Sequence, residues 1–202
     1  MTAVNHHADH PGFAGVTGLV AGLTMIPGRG VVARLAADLT SVSANDDVLD
    51  VGCGPGTAVR EATRRGARAT GIDPAPVMLW LAEALTRKHA GITWAEGTAE
   101  DLRQPDASAT VLWCVATVHH WKDVGAGLAE ARRVLAPGGR LLAIERRVRP
   151  GATGLASHGW TGPQAEAFAA QCRVTGFDDV RVEQHAPGRR ALWAVRAIRR
   201  PD

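Results

Sequence analysis

The stretch Val48-Leu49-Asp50-Val51-Gly52-Cys53-Gly54-Pro55-Gly56-Thr57 decides the fold. Val48 to Val51 reads as a short buried strand, β-branched around one leucine. Gly52, Gly54 and Gly56 then let the backbone turn tightly with no Cβ in the way. Ala58 to Arg65 carries good helix formers, so a helix is expected to start near Thr57. A strand, a glycine turn and a helix N-terminus bring backbone N–H groups to an open cleft. The spacing is not the G-x-G-x-x-G of dinucleotide loops. It is D-x-G-x-G-x-G, with an acid on the strand. That acid would repel a pyrophosphate and suits a ligand carrying a cationic amine.

Downstream, strand and helix patterns alternate. Arg68 to Ile72 reads as a second strand, ending in Gly71-Ile72-Asp73-Pro74. Asp73 stands 17 residues beyond Gly56. At that place in an open α/β sheet an acid accepts the two ribose hydroxyls, and a carboxylate can take both bonds. A helix N-cap ahead of Pro74 fits the same position. Ala75 to Lys88 reads as a helix with Val77, Leu81 and Leu85 on one stripe. Ile92 to Glu96 and Thr110 to Cys114 read as strands three and four. A helix from Gly127 to Leu135 stops at Ala136-Pro137-Gly138-Gly139. Arg140 to Glu145 is strand five, Arg147 to Gly162 a loop, and Gly162 to Thr175 a helix. Phe177 to Gln184 and Ala191 to Ile198 form a closing hairpin. Before the glycine loop, Val31 to Leu39 reads as a helix with Leu35 and Leu39 one turn apart. The fold class expected is α/β: a doubly wound, mostly parallel seven-stranded sheet with a C-terminal antiparallel hairpin.

Four ordered motifs, LDVGCGPGT, GIDP, GTAEDL (from Gly97) and RRVLAPGG (from Arg132), resemble the class I S-adenosylmethionine-dependent methyltransferases, in their methyltransferase-11-like branch. The resemblance runs from about Val48 to Ile198. It implies S-adenosylmethionine as cofactor, with S-adenosylhomocysteine as product. It implies a site made of Asp50, Gly52, Cys53, Gly54, Gly56, Asp73, Pro74, Thr98, Ala99, Glu100 and Cys114. Within it, Asp50 would shape the pocket of the methionine part, backbone carbonyls near Gly52 and Cys114 would hold its amino group, and Ala99 N–H and Glu100 would face the adenine. Thr110 departs from the family, whose fourth strand often opens with Asp. Val118-His119-His120-Trp121 resembles the branch's "LHHW".

Methyl transfer from a sulfonium has a good leaving group, so alignment and exclusion of water are the main tasks. A base is needed where the nucleophile arrives protonated. His119 and His120 are the catalytic candidates, His119 first and Glu145 behind it; packing beneath the cofactor is the competing role for the pair. Nucleic-acid amino methyltransferases carry a D/N/S-P-P-Y/F motif after strand four. Here that segment is Cys114-Val115-Ala116-Thr117, and the chain has no Tyr. No Pro precedes any cysteine, which excludes a cytosine-C5 nucleophile. The acceptor expected is therefore a small molecule, apolar or aromatic, under a roof of Trp121, Trp160 and the segment Phe13 to Met25. The alternatives are a non-catalytic S-adenosylmethionine binder and a nucleic-acid enzyme using the basic C-terminal half. An NAD(P) protein is disfavoured by the glycine spacing.

The 202 residues suit one domain, residues 28–202, behind an N-terminal tail and lid segment, residues 1–27. Val16 to Met25 reads as a short apolar helix. His6, His7, Asp9 and His10 read as part of a mobile tail. With the loop after strand five short, the N-terminal segment alone is expected to cover the entrance. No metal is expected, since Cys53, Cys114 and Cys172 have no metal-like spacing. They read as free thiols in a reducing cytosol, hence a cytoplasmic protein. No apolar run approaches the roughly 18 residues of a membrane span. The net charge of +3 is modest, though residues 140–202 hold 11 Arg against 6 acids. A solvated basic face is expected there. A monomer or homodimer is expected. Calorimetry separates the cofactor readings: S-adenosylhomocysteine should bind to the purified chain and NADH should not.

Overall fold

In the computed structural model, residues 4–7, 29–86, 90–187 and 191–201 are described, apart from the side chain of Leu155. Helix α1 (Arg29–Leu39) leads into β1 (Asp47–Val51), then α2 (Thr57–Arg64), β2 (Arg68–Asp73), α3 (Pro76–Thr86) and β3 (Ile92–Glu96). There follow β4 (Ala109–Val115), a 3-10 turn (Val118–His120), α4 (Val124–Val134) and β5 (Leu135–Arg146). A second 3-10 turn (Gly154–Ser157), α5 (Gly162–Val174), β6 (Phe177–His185) and β7 (Leu192–Arg199) complete the order. The strands make one seven-stranded sheet in the order β3-β2-β1-β4-β5-β7-β6. β1 to β5 run parallel, and β7 lies antiparallel to both β5 and β6. The expected doubly wound fold with a closing hairpin is what forms.

Strand alternation divides the core. Leu49, Val51, Leu112, Cys114, Leu141 and Ala143 pack with Leu128 of α4 and Phe168 of α5. Val48, Val111, Trp113, Leu142 and Ile144 face the other way, onto Ala33, Ala36 and Ala37 of α1 and Val59 and Ala62 of α2. Small residues on α1 and α2 let those helices approach the sheet and leave room for the Trp113 ring, whose Nε1 donates to Thr40 Oγ1 at 3.1 Å. With Asp50 beside Gly71 and Trp113, the strands end level, and the carboxyl ends of β1, β2 and β4 share one rim.

Several finer expectations are corrected. The α3 core face is Met78, Leu81, Ala82 and Thr86, while Leu85 is 42% exposed. The inward face is the one that meets both β2 and β3, the two strands this helix packs on. In α1 the buried face is Val32, Ala33, Ala36 and Ala37; Leu35 and Leu39 flank it. β5 begins at Leu135, since Leu135 already pairs with Ala109 and Gly138 takes φ 76° within the strand. Trp121 and Trp160 roof no open pocket. Both are buried against Phe168, with ring centroids 6.2 and 5.0 Å away. For residues 4–7 the mobile tail is corrected as well: Val4 and His7 are buried. The helix expected over Val16 to Met25, with most of residues 1–27, lies outside the described residues. No helix among the described residues is long and apolar enough to cross a membrane.

Gly71 explains its own identity. A Cβ there would overlap the Trp94 ring and lie 2.9 Å from Cys53 Sγ. Gly71→Ala should therefore cost about 1–3 kcal/mol of stability, read from the urea midpoint. An unchanged midpoint would mean that the Trp94 ring is not seated there.

Candidate active site

The glycine loop is held from the neighbouring strand. The N–H groups of Gly52 and Cys53 both donate to the Ile72 carbonyl, at 2.8 and 3.0 Å. Gly52 and Gly56 take φ 71° and 73°, a left-handed conformation open to glycine. Each also meets a close neighbour: a Cβ on Gly52 would overlap Thr117, and one on Gly56 the Trp94 ring. Asp73 joins the two loops. Its Oδ2 accepts the Gly54 N–H at 2.8 Å and its Oδ1 the Ala75 N–H at 2.9 Å. Both roles weighed for this residue thus start from one position, because the carboxylate caps the turn before α3 and faces the glycine loop.

Asp50 is 2% exposed. Burial pushes its carboxyl up to about 7; the Arg29 charge opposes that rise and the Asp73 charge adds to it. Burial also raises Asp73, against the two backbone N–H groups and Arg29. Arg29 was not legible in the sequence as a site residue. It opens α1, a helix identified only by its apolar face. Cys53 and Cys114 are free, buried thiols pushed well up by burial, so neither is a nucleophile.

The loop after β3 is closed by paired N–H···O bonds between Thr98 and Asp101, both 3.2 Å. Ala99 is buried within it. The Glu100 carboxylate is used differently from the expectation. Its Oε1 accepts the N–H groups of Lys122 at 2.7 Å and Asp123 at 3.1 Å, tying this loop to the turn after β4. Thr110, the departure from the family pattern, donates to Asp46 Oδ1 at 2.7 Å at the far end of β4.

The turn after β4 begins at Ala116, a non-glycine residue at φ 56° whose N–H donates to the Ile144 carbonyl at 2.7 Å. It delivers His119 to Glu145 at the end of β5. His119 is 3% exposed and Glu145 0%. His119 Nδ1 lies 2.9 and 2.8 Å from the two carboxylate oxygens. A carboxylate oxygen accepts, so Nδ1 is the ring nitrogen that donates to Glu145. Nε2 is buried and has no hydrogen-bond partner among the described residues. Burial pushes neighbouring His120 down to about 4, with the adjacent His119 imidazole opposing a second proton, so it is neutral at physiological pH.

Residues 4–7 close this region from above. Asn5 Nδ2 donates to the carbonyls of Trp121 and Lys122 at 2.9 and 3.1 Å, and the His7 N–H donates to the His119 carbonyl at 2.9 Å. Trp160 Nε1 donates to the Val4 carbonyl at 3.1 Å, and His6 Nε2 to the Ser157 carbonyl at 2.9 Å. Residues 4–7 are thus tied to the loop after β5 as well as to the turn after β4. Polar residues read as a tail are seated because they find buried carbonyls in two separate loops.

The fold and this rim define a doubly wound α/β protein, and in open sheets of this kind ligands lie across the carboxyl ends of the strands. A family model described as a methyltransferase domain matches residues 49–143. A demethylmenaquinone methyltransferase of Tropheryma whipplei (strain Twist) is 39% identical over 112 residues, 55% of this chain and 46% of that protein. A 27-O-demethylrifamycin SV methyltransferase of Amycolatopsis mediterranei (strain S699) is 33% identical over 123 residues, 59% of this chain and 45% of that one. The crystal structure of a SAM-dependent methyltransferase from Aquifex aeolicus superposes with a TM-score of 0.74 at 16% identity, covering 89% of this chain and 97% of the other. Residues 49–143 of this chain thus match a methyltransferase domain, and the fold is that of class I S-adenosylmethionine-dependent methyltransferases. It spans less than half the length of these two sequence relatives.

The cofactor that the methyltransferase-domain match and the structural neighbours imply is S-adenosylmethionine, and the residues present fit it. Two buried carboxylates, Asp50 and Asp73, face a cleft that a cationic ligand would neutralise. Gly54 leaves its backbone accessible: a Cβ there would meet nothing nearer than Arg29 Nη1 at 3.9 Å. Each Asp73 oxygen keeps a lone pair after its backbone bond, enough for two hydroxyls. A pH dependence follows. A cation favours the ionised form of Asp50, whose carboxyl is raised to about 7, so binding releases a proton below that pH. S-adenosylmethionine affinity should rise by up to about tenfold per pH unit below about pH 7 and level off above it. Asp50→Asn should flatten the profile; a wild-type Kd independent of pH would remove Asp50 from the site.

Proposed function

We propose that this chain transfers the methyl group of S-adenosylmethionine in line to a small molecule whose hydroxyl group must give up its proton. The observation that carries the proposal is the buried His119–Glu145 pair, with an imidazole nitrogen unpartnered among the described residues, in the turn whose Thr117 lies against Gly52. When bound, the cofactor supplies an electrophilic methyl group on a sulfonium. The protein's own part is placement. Asp50, Gly52, Cys53, Gly54, Gly56, Arg29 and Cys114 surround the methionine part. Asp73 and Pro74 lie at the ribose, and Thr98 and Ala99 at the adenine, with Glu100 holding that loop against the turn after β4. Glu145 keeps the Nδ1–H tautomer of His119, and Nε2 accepts the hydroxyl proton; the imidazolium formed is stabilised by the carboxylate. His120, neutral and beside it, shapes the acceptor end. Residues 1–27 act as a lid over the domain formed by residues 28–202, and residues 4–7 hold its inner edge in place.

The two sequence relatives are named for demethylmenaquinone and 27-O-demethylrifamycin SV, both small molecules, which supports an acceptor of that class. Against a nucleic-acid acceptor, C-terminal arginines are engaged in ion pairs: Arg200 with Asp178, Arg181 with Asp179, and Arg196 with Glu183, each at 2.7–2.8 Å. Methyl label offered with a metabolite extract, tRNA and rRNA should enter the metabolite fraction. Label in RNA would move the reading to a nucleic-acid enzyme, and label in none of them to a non-catalytic binder. His119→Ala should lower turnover by about 10²-fold or more and leave S-adenosylmethionine affinity nearly unchanged. Unchanged turnover would remove the base.

A further inference from the structure

The acceptor end gathers more imidazoles than one proton transfer needs. His119 and His120 come from the turn after β4, and His158 from the loop after β5. His119 and His120 have ring centroids 4.1 Å apart, and His158 lies 5.5 and 5.4 Å from them. One ring nitrogen of each can be chosen so that all three lie within 4.8 Å of one another. His7 stacks on His158 at 4.2 Å. Its Nε2 lies 3.0 Å from Ser157 Oγ, which itself donates to the Gly154 carbonyl at 2.7 Å.

We propose that His119, His120 and His158 form a site for one divalent transition-metal ion of the zinc class, with Glu145 as the carboxylate behind the His119 ligand. Three observations converge. The ligand set is imidazole only, which suits zinc, cobalt or nickel and not magnesium or calcium. His119 Nε2 is buried and has no hydrogen-bond partner among the described residues, while Nδ1 donates to Glu145. A carboxylate on the far nitrogen of a ligating histidine is the usual outer support of such sites. With metal–nitrogen distances of about 2.0–2.1 Å, the three nitrogens must draw together by about an ångström. His120 and His158 are only partly buried, so their side chains have room to do so. Three protein ligands leave a fourth position for water or an acceptor oxygen.

The inference shares one atom with the function proposed above, since His119 Nε2 cannot accept a proton while it binds a metal. The experiment separates the two. Untagged, chelator-dialysed protein is titrated with cobalt(II) alone. One equivalent should bring up the intense visible bands of low-coordinate cobalt, and one equivalent of zinc should abolish them. His158→Ala should lose the bands while keeping its melting temperature and S-adenosylhomocysteine binding. Glu145→Gln should weaken cobalt affinity by about 10- to 100-fold. A weak octahedral spectrum, or bands that persist in His158→Ala, would overturn the site. Methyl transfer by the chelated protein, lost in His119→Ala, tests the base without reference to any metal. The metal site can therefore fail while the base stands, and the reverse.

Discussion

A single carboxylate holds the two loops on which the site is built. Asp73 accepts the Gly54 N–H with one oxygen and the Ala75 N–H with the other. Those donors belong to the turns after β1 and β2, which no strand hydrogen bonds join. Charge-assisted bonds of this kind are stronger than neutral ones. The cost is a buried acid next to a second one, Asp50, and burial pushes both carboxyls upward. A site whose acids are difficult to ionise in its own folded form is poised for a cation.

The loop after β4 works by the opposite logic. The His119–Glu145 pair is buried and nearly sealed. A buried polar pair of this kind contributes little net stability, yet losing one partner is costly. What it does accomplish is orientation, since one tautomer and one ring position satisfy the carboxylate. Ala116 at φ 56° shows the backbone held in a sparsely populated region so that the turn can make this contact.

The sequence made the frame legible and left the contacts obscure. Ile92 to Glu96 forms as read, and the glycine loop, Asp73 and the closing hairpin lie where the pattern puts them. Strand period and glycine chemistry act within a few residues and can be read one segment at a time. The side chains that close the site come from far along the chain. Glu145 was visible as an acid at a strand end, but its partner His119 lies 26 positions earlier. His7 and His158 carried no local signal, because what seats them is a set of carbonyls and rings from other loops. Helix faces failed for a related reason: Met78 rather than Val77 faces inward because of how α3 lies on two strands, which periodicity alone does not encode.

The place of β7 has a consequence for assembly. It sits between β5 and β6, yet it follows every other strand in the chain. While the polypeptide is being synthesised, the parallel half can align as soon as β5 emerges. The outer edge of β5, running through the fully buried Leu142, Ala143 and Ile144, then has unpaired N–H and C=O groups until the last strand slots in. An exposed apolar edge of that kind is a template for pairing with another nascent chain. The interval between the release of β5 and that of β7 is thus the window in which this protein is most exposed to aggregation, and in which a chaperone would have most to protect.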